Sequence, residues 1–195
     1  LFAARGVPVT GVDVSQRVVD TINAGKIHIV EPELDGIVHK AVTEGWLRAS
    51  TTPEASDAFI IAVPTPFKAD HEPDLSYIEA AAKAVAPVLK AGDLVVLEST
   101  SPVGATEKMS VWMAEARPDL SFPQTAGEEA DVQVAHCPER VLPGQVVREL
   151  VENDRVIGGV SPLCGERAAR LYRRFVNGEL CLLEISGLYS PQLAK

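Results

Sequence analysis

Asp93-Leu94-Val95-Val96-Leu97-Glu98-Ser99-Thr100-Ser101-Pro102-Val103-Gly104-Ala105-Thr106 is the stretch whose reading decides the fold. Leu94 to Leu97 is an unbroken apolar run, the pattern of a strand covered by helices on both faces. It ends in the hydroxyl residues Ser99, Thr100 and Ser101. Pro102 and Gly104 then force a turn, and a helical pattern opens toward Met109 and Trp112. Ligands of open parallel sheets collect outside the carboxyl ends of the strands. Small hydroxyl side chains and backbone N–H groups at a helix start suit an anion there. The same residues would equally serve only to cap the helix and close the turn.

The neighbouring segments repeat the theme. Asp57 to Val63 is a second buried strand, closed by Pro64-Thr65-Pro66, where two prolines stiffen the tip and leave Thr65 displayed at the carboxyl edge. Between the two strands a helix begins at Asp74 or Ser76 and runs through Lys90, with Ile78, Ala81, Ala82, Val85 and Leu89 on one face. Upstream, Val7 to Val14 is a short β-branched strand followed by the helix Gln16–Ala24, which Gly25 stops. Glu33 to Glu44 is helical, and Leu47–Thr52 is a short strand. Downstream come the Val103–Arg117 helix, an irregular acidic loop from Pro118 to Asp131, and the strand Val132–Cys137. Arg155–Gly159 and Leu180–Leu183 are further short strands on either side of the helix Glu166–Val176, which Ser161 or Pro162 opens. Strands alternating with helices in this way predict an α/β fold, a Rossmann-like parallel sheet with helices on both faces.

In that fold, an acid at the end of the second strand accepts hydrogen bonds from the adenosine ribose and repels the extra phosphate of NADP. Asp13 occupies such a position, which favours NAD, although Arg17 nearby could tolerate a phosphate. A solvated Asp in a turn is the plain alternative. At the far end, Glu139 and Arg140 put a carboxylate and a guanidinium side by side between prolines. They are either a surface ion pair or part of a site.

Composition narrows the function classes. The 195 residues are 46% hydrophobic, enough for one good globular core or one and a half smaller ones. The net charge of -9 leaves no basic stripe for nucleic acid. No apolar run approaches the roughly 20 residues that cross a bilayer. The three cysteines, Cys137, Cys164 and Cys181, have no Cys-x-x-Cys spacing, and the four histidines are scattered, so neither a disulfide scaffold nor a metal site is expected. A reducing cytoplasm fits best. Leu1 to Gly6 reads as the last turn of a helix stopped by Gly6, so the sequence starts as if inside an element.

Taken together, Gly11-Val12-Asp13, Ile27 to Pro32, Ala62 to Phe67, Glu98 to Thr106, Cys137 to Gln145 and Asn153 to Gly159 resemble the UDP-glucose/GDP-mannose dehydrogenase family, within it the branch acting on UDP-N-acetyl-D-mannosamine. The resemblance implies NAD as cofactor, contacted by Asp13, Thr65 and Thr106, and a UDP-sugar substrate contacted by Arg140 and Val141. It implies a water-holding role for Thr100 and a base at Glu139. UDP-glucose enzymes carry a second Glu where this chain has Pro143, a departure that fits the N-acetylmannosamine branch and leaves the role of Glu139 open. Family members oxidise the sugar's primary alcohol to a carboxylate in two NAD-linked steps through a thioester that water finally hydrolyses.

Further expectations follow from the resemblance. The family's glycine-rich turn and its preceding strand are not in this chain, and neither are its catalytic Lys, Asn and thiol. None of the three cysteines stands at the nucleophile's motif, so all are read as buried bystanders. Residues 1–179 are expected to be a partial NAD-binding domain and residues 180–195 a divergent tail, in a chain inactive by itself and derived from a homo-oligomeric family. Asp13, Thr65, Thr106 and Arg140 are expected along one rim of strand ends. Two other classes compete: a 3-hydroxyacid-type dehydrogenase, whose usual patterns lack Pro-Glu-Arg and Val-Pro-Thr-Pro, and a non-catalytic relic that keeps the sheet without the chemistry.

Overall fold

The computed structural model describes residues 1–27, 31, 33–69, 72–139, 141–142 and 144–185. The chain divides into two compact units. The first comprises residues 1–54, 140–154 and 172–179, and the second residues 55–139, 155–171 and 180–195.

In the first unit, β1 (Val9–Val12) and β2 (Leu47–Ser50) form a two-stranded parallel sheet in the register Val9↔Leu47 to Val12↔Ser50. The crossover carries α1 (Gln16–Asn23) and α2 (Leu34–Thr43). Val19, Val38 and Ala41 are the buried positions of these helices, one amphipathic stripe each. Asn23 locks α1 to β2 by donating to the Ala49 carbonyl at 3.0 Å and accepting from the Ala49 N–H at 2.7 Å. Before β1, a single 3₁₀ turn at Ala3–Arg5 ends at Gly6 with φ 73°, the left-handed stop that its glycine predicts. Phe2 of that turn meets Phe175 edge-on, with ring centroids 4.7 Å apart.

The second unit holds the main sheet. Its strands are β3 (Ala58–Ile61), β4 (Leu94–Leu97), β5 (Gln133–His136), β6 (Arg155–Gly159) and β7 (Leu180–Glu184), in that spatial order. All four residues of β4 are buried, as the apolar run predicts for a strand covered on both sides. Register places Phe59, Val95 and Val134 in one row, and all three belong to the core with Ile78, Ala82 and Val85 of α3 (Ser76–Val85) and with Met109 and Met113 of α4 (Ala105–Ala116). Phe122, just before the short helix α5 (Pro123–Ala126), closes that core. Beyond a seven-residue helix, α6 (Val146–Glu152), in the first unit, comes α7 (Pro162–Tyr172). Cys164 of α7 donates to the Gln133 side chain of β5 at 3.1 Å, tying this helix to the sheet.

Three features differ from the sequence reading. α3 stops at Val85 and continues only as a 3₁₀ turn, because Pro87 lacks the N–H that an α-helix would need. α6 forms in a stretch to which the sequence reading assigns no element, while α7 opens at Pro162 as read, in the first-turn position that proline favours, and ends at Tyr172 short of Val176. Most consequential, β6 runs antiparallel to β5, pairing Ala135 with Gly159 and His136 with Gly158. The β3–β4–β5 and β6–β7 pairings are parallel.

Candidate functional site

The carboxyl ends of β3 and β4 are stitched together past the last ladder pair. Glu98 N–H donates to the Ile61 carbonyl at 2.9 Å. The Ser99 hydroxyl, 7% exposed, accepts from the Val63 N–H at 2.8 Å and donates to the Val63 carbonyl at 2.7 Å. Thr65, held between Pro64 and Pro66, donates its hydroxyl to the Thr100 carbonyl at 2.5 Å. Thr65 and Thr100 are therefore brought together, with the Thr65 oxygen lone pairs and the exposed Thr100 side chain at the rim. Gly104, with φ 81°, starts α4, and Thr106 in its first turn is 4% exposed.

β5 continues the rim. Cys137 N–H donates to the Leu97 carbonyl at 3.0 Å and Glu139 N–H to the Glu98 carbonyl at 3.3 Å, so Glu98 and Glu139 leave the sheet at adjacent positions. His136 sits beside them with Nδ1 2.9 Å from the Leu97 carbonyl. Burial pushes the His136 pKa down, against the opposing pull of that carbonyl and of Glu107.

Arg155 completes the group. Its Nη1 lies 2.9 Å from Glu139 Oε2, 3.6 Å from Glu98 Oε1 and 3.9 Å from Cys137 Sγ, with the side chain only 5% exposed. Burial pulls the guanidinium pKa down, but the Glu139 carboxylate, Cys137 and Glu98 outweigh it, and the net shift is upward. In the sequence Arg155 reads only as the first residue of a strand. In a parallel strand that residue would lie at the opposite edge from Glu139; the reversal of β6 delivers it to the carboxyl rim. A charged residue opening an otherwise apolar Val-Ile-Gly-Gly run was the available signal.

Asp13 and Val141 belong to the first unit. Asp13 follows β1, its N–H on the Ser50 carbonyl at 3.2 Å, and its Oδ1 accepts from the Ser15 N–H at 2.8 Å. That bond orients the carboxylate at the start of α1 and leaves its second oxygen for ribose hydroxyls, so the residue fits a dinucleotide. Val141 is half-buried. Gly144 N–H reaches both carboxylate oxygens of Glu31 at 3.1 Å. Arg140, Pro143 and the tail from residue 186, including Lys195, lie outside the described residues, as do His28, Ile29, Val30 and Pro32 of the upstream motif. Of the cysteines, Cys137 and Cys164 are buried, but Cys181 is exposed, because among the described residues β7 is an edge strand with one neighbour. No described helix is long and apolar enough to cross a membrane.

Residues 1–176 match the sequence model of the UDP-glucose/GDP-mannose dehydrogenase family, NAD binding domain. The chain is 65% identical over 178 residues to UDP-N-acetyl-D-mannosamine dehydrogenase of Escherichia coli, a match covering 91% of this chain and 42% of that protein. It is 67% identical over 178 residues to NDP-N-acetyl-D-galactosaminuronic acid dehydrogenase of Ralstonia nicotianae, with the same coverage. Among solved structures, UDP-N-acetylmannosamine dehydrogenase from Pyrococcus horikoshii superposes with a TM-score of 0.87 at 40% identity, over 95% of this chain and 44% of that one. The chain thus spans less than half the length of these relatives. With the match running over nearly the whole sequence, the chain belongs to the UDP-glucose/GDP-mannose dehydrogenase family, within its NAD-binding domain.

Proposed function

We propose that the polypeptide to which this chain belongs oxidises UDP-N-acetyl-D-mannosamine to UDP-N-acetyl-D-mannosaminuronate with NAD. The observation that supports the reading is that Thr100 follows β4 and Glu139 follows β5, adjacent parallel strands, in a chain 65% identical to relatives bearing that activity in their names. NAD, when bound, accepts the hydride. Asp13 takes the adenosine ribose hydroxyls, while Thr65 and Thr106 line the cofactor's path. Arg140 and Val141 contact the nucleotide sugar. In the closing hydrolysis Thr100 holds the water and Glu139 takes its proton. Residues 1–179 are the partial NAD-binding domain, and residues 180–195 are a divergent tail where the family's helical linker would begin. The homo-oligomer and the cytoplasmic location are the expectations that go with this reading.

A hybrid tests it: this chain replaces the matching 178 residues of the Escherichia coli relative. NADH formed on addition of UDP-N-acetyl-D-mannosamine, two per sugar oxidised to the acid, supports the proposal. A folded hybrid that forms no NADH with this sugar overturns it. The Ralstonia match, at 67% identity, favours a second reading, an N-acetylgalactosamine nucleotide as substrate, and the same hybrid assayed with that sugar separates the two.

A further inference from the structure

Three side chains from three strand ends share one buried point in the second unit: Glu98 after β4, Glu139 after β5 and Arg155 at the start of β6. Their exposure is graded, 5% for Arg155, 20% for Glu98 and 27% for Glu139. The cation is the inner member, and Glu139 is the one most open to solvent. A guanidinium keeps its proton at any working pH, so this buried charge always requires a carboxylate beside it. With Glu139 as sole partner, every proton that Glu139 accepted would strand the cation.

We propose that Arg155 is a positioning residue for Glu139, and that Glu98 is the second carboxylate that balances the guanidinium whenever Glu139 takes a proton. The proposal rests on the reading of Glu139 as a base and deepens it. The distances carry it: the guanidinium is already shared unequally, 2.9 Å to Glu139 and 3.6 Å to Glu98. Counting the two carboxylates and the guanidinium, the group holds a net charge of −1 with Glu139 ionised and is neutral once Glu139 is protonated. A lone buried cation never arises. The Glu139 N–H on the Glu98 carbonyl fixes the two acids at neighbouring starting points, so no backbone rearrangement is needed for the exchange. Both carboxylates face the one Nη1, whose N–H directions are fixed by the guanidinium plane, whereas a lysine ammonium rotates freely about its stem and fixes no direction.

The test uses the full chain, isotopically labelled, in solution. NMR reads the Arg155 Nη–H signals and the Glu139 side-chain carboxyl carbon. Separate, slowly exchanging Nη–H signals are expected in the wild type, because a gripped guanidinium does not rotate. Glu139→Gln is expected to keep them, held by Glu98, and the double variant E98Q/E139Q to lose them. Arg155→Lys is expected to move the Glu139 carboxyl signal away from its wild-type position. Collapse of the Nη–H signals in Glu139→Gln alone overturns the role of Glu98. An unmoved carboxyl signal in Arg155→Lys overturns the role of Arg155, and these two single variants decide the matter if the double variant does not fold. Failure of the base reading shows elsewhere, as undiminished turnover of the hybrid carrying Glu139→Gln, and leaves the NMR result standing on its own.

Discussion

The Ser99 side chain and the Val63 backbone are joined twice, the hydroxyl oxygen accepting from the Val63 N–H at 2.8 Å and its hydrogen going to the Val63 carbonyl at 2.7 Å. One hydroxyl therefore stands in for a ladder step beyond the end of β3, where prolines 64 and 66 can donate nothing. Ser99→Ala leaves a backbone donor and an acceptor without these partners in a part-buried place. The expected loss is about 1–3 kcal/mol of stability, read as a lower urea midpoint with an unchanged slope. Faster amide exchange at Val63 than at Val95 should accompany it, since Val95 lies inside the sheet.

Glycines 159 and 36 should respond in opposite directions. A Cβ on Gly159 would sit 2.3 Å from the Ser161 carbonyl oxygen and 2.4 Å from the Gly165 nitrogen, backbone atoms that cannot step aside. Gly159→Ala is expected to cost at least the upper end of the roughly 1–3 kcal/mol typical of overpacking. A Cβ on Gly36 in α2 meets nothing within 4 Å. Gly36→Ala should stabilise by about 0.5–1 kcal/mol, the helix-propensity difference. Thermal unfolding of both variants beside the wild type decides.

Such tight approaches mark the border of what residue patterns reveal. The run Leu94–Leu97 maps onto β4 residue for residue, because four apolar positions between Gly92 and Ser99 admit little else. Thr65 and Thr100 were identifiable for the same reason, as polar residues at the ends of apolar runs. Strand direction is a different matter. Val156 and Ile157 look alike whichever way β6 runs, so neither its antiparallel pairing nor the arrival of Arg155 beside Glu139 was visible. In α6, Val146, Val147, Leu150 and Val151 do recur at helical spacing, but in a helix of only seven residues with none of them fully buried the signal is thin. The exposure of Cys181 depends on β7 having no outer neighbour among the described residues, a property of the sheet and not of the residue.

His136 should make the fold sensitive to mild acid. Burial lowers its folded-state pKa below the ordinary histidine value of about 6.5. Above pH 6.5 neither the folded nor the unfolded chain carries the proton, and the residue contributes nothing to pH dependence. As pH falls through the unfolded value, the unfolded chain gains a proton that the folded one resists, and stability drops. Asp74, Asp119 and Asp131 have lowered pKa values from their hydrogen bonds and act with the same sign, but only from the ordinary aspartate value of about 3.9 downward. The two windows separate. Urea midpoints measured from about pH 5 to 7.5 are expected to decline on the acid side in the wild type and to stay flatter in His136→Asn, whose amide can still donate to the Leu97 carbonyl. Equal slopes in the two proteins would show that His136 does not titrate in this window.

Glu139→Gln bears on the chemistry itself. The amide keeps the size of the carboxylate, and its carbonyl oxygen can still accept from Arg155, whose charge remains balanced by Glu98 at 3.6 Å. The fold should persist, with at most a small fall in Tm. The amide cannot take a proton from water. In the hybrid described above, kcat is expected to fall by about 10²–10⁴-fold, the usual worth of a positioned general base, while KM for the UDP-sugar changes little. A rise in KM at constant kcat would instead make Glu139 a binding group, and the water would need a different base. Thr100→Val offers the independent check: with the hydroxyl gone and the side chain exposed, stability should hold and kcat should fall, because Thr100 and Glu139 are proposed to act on the same water.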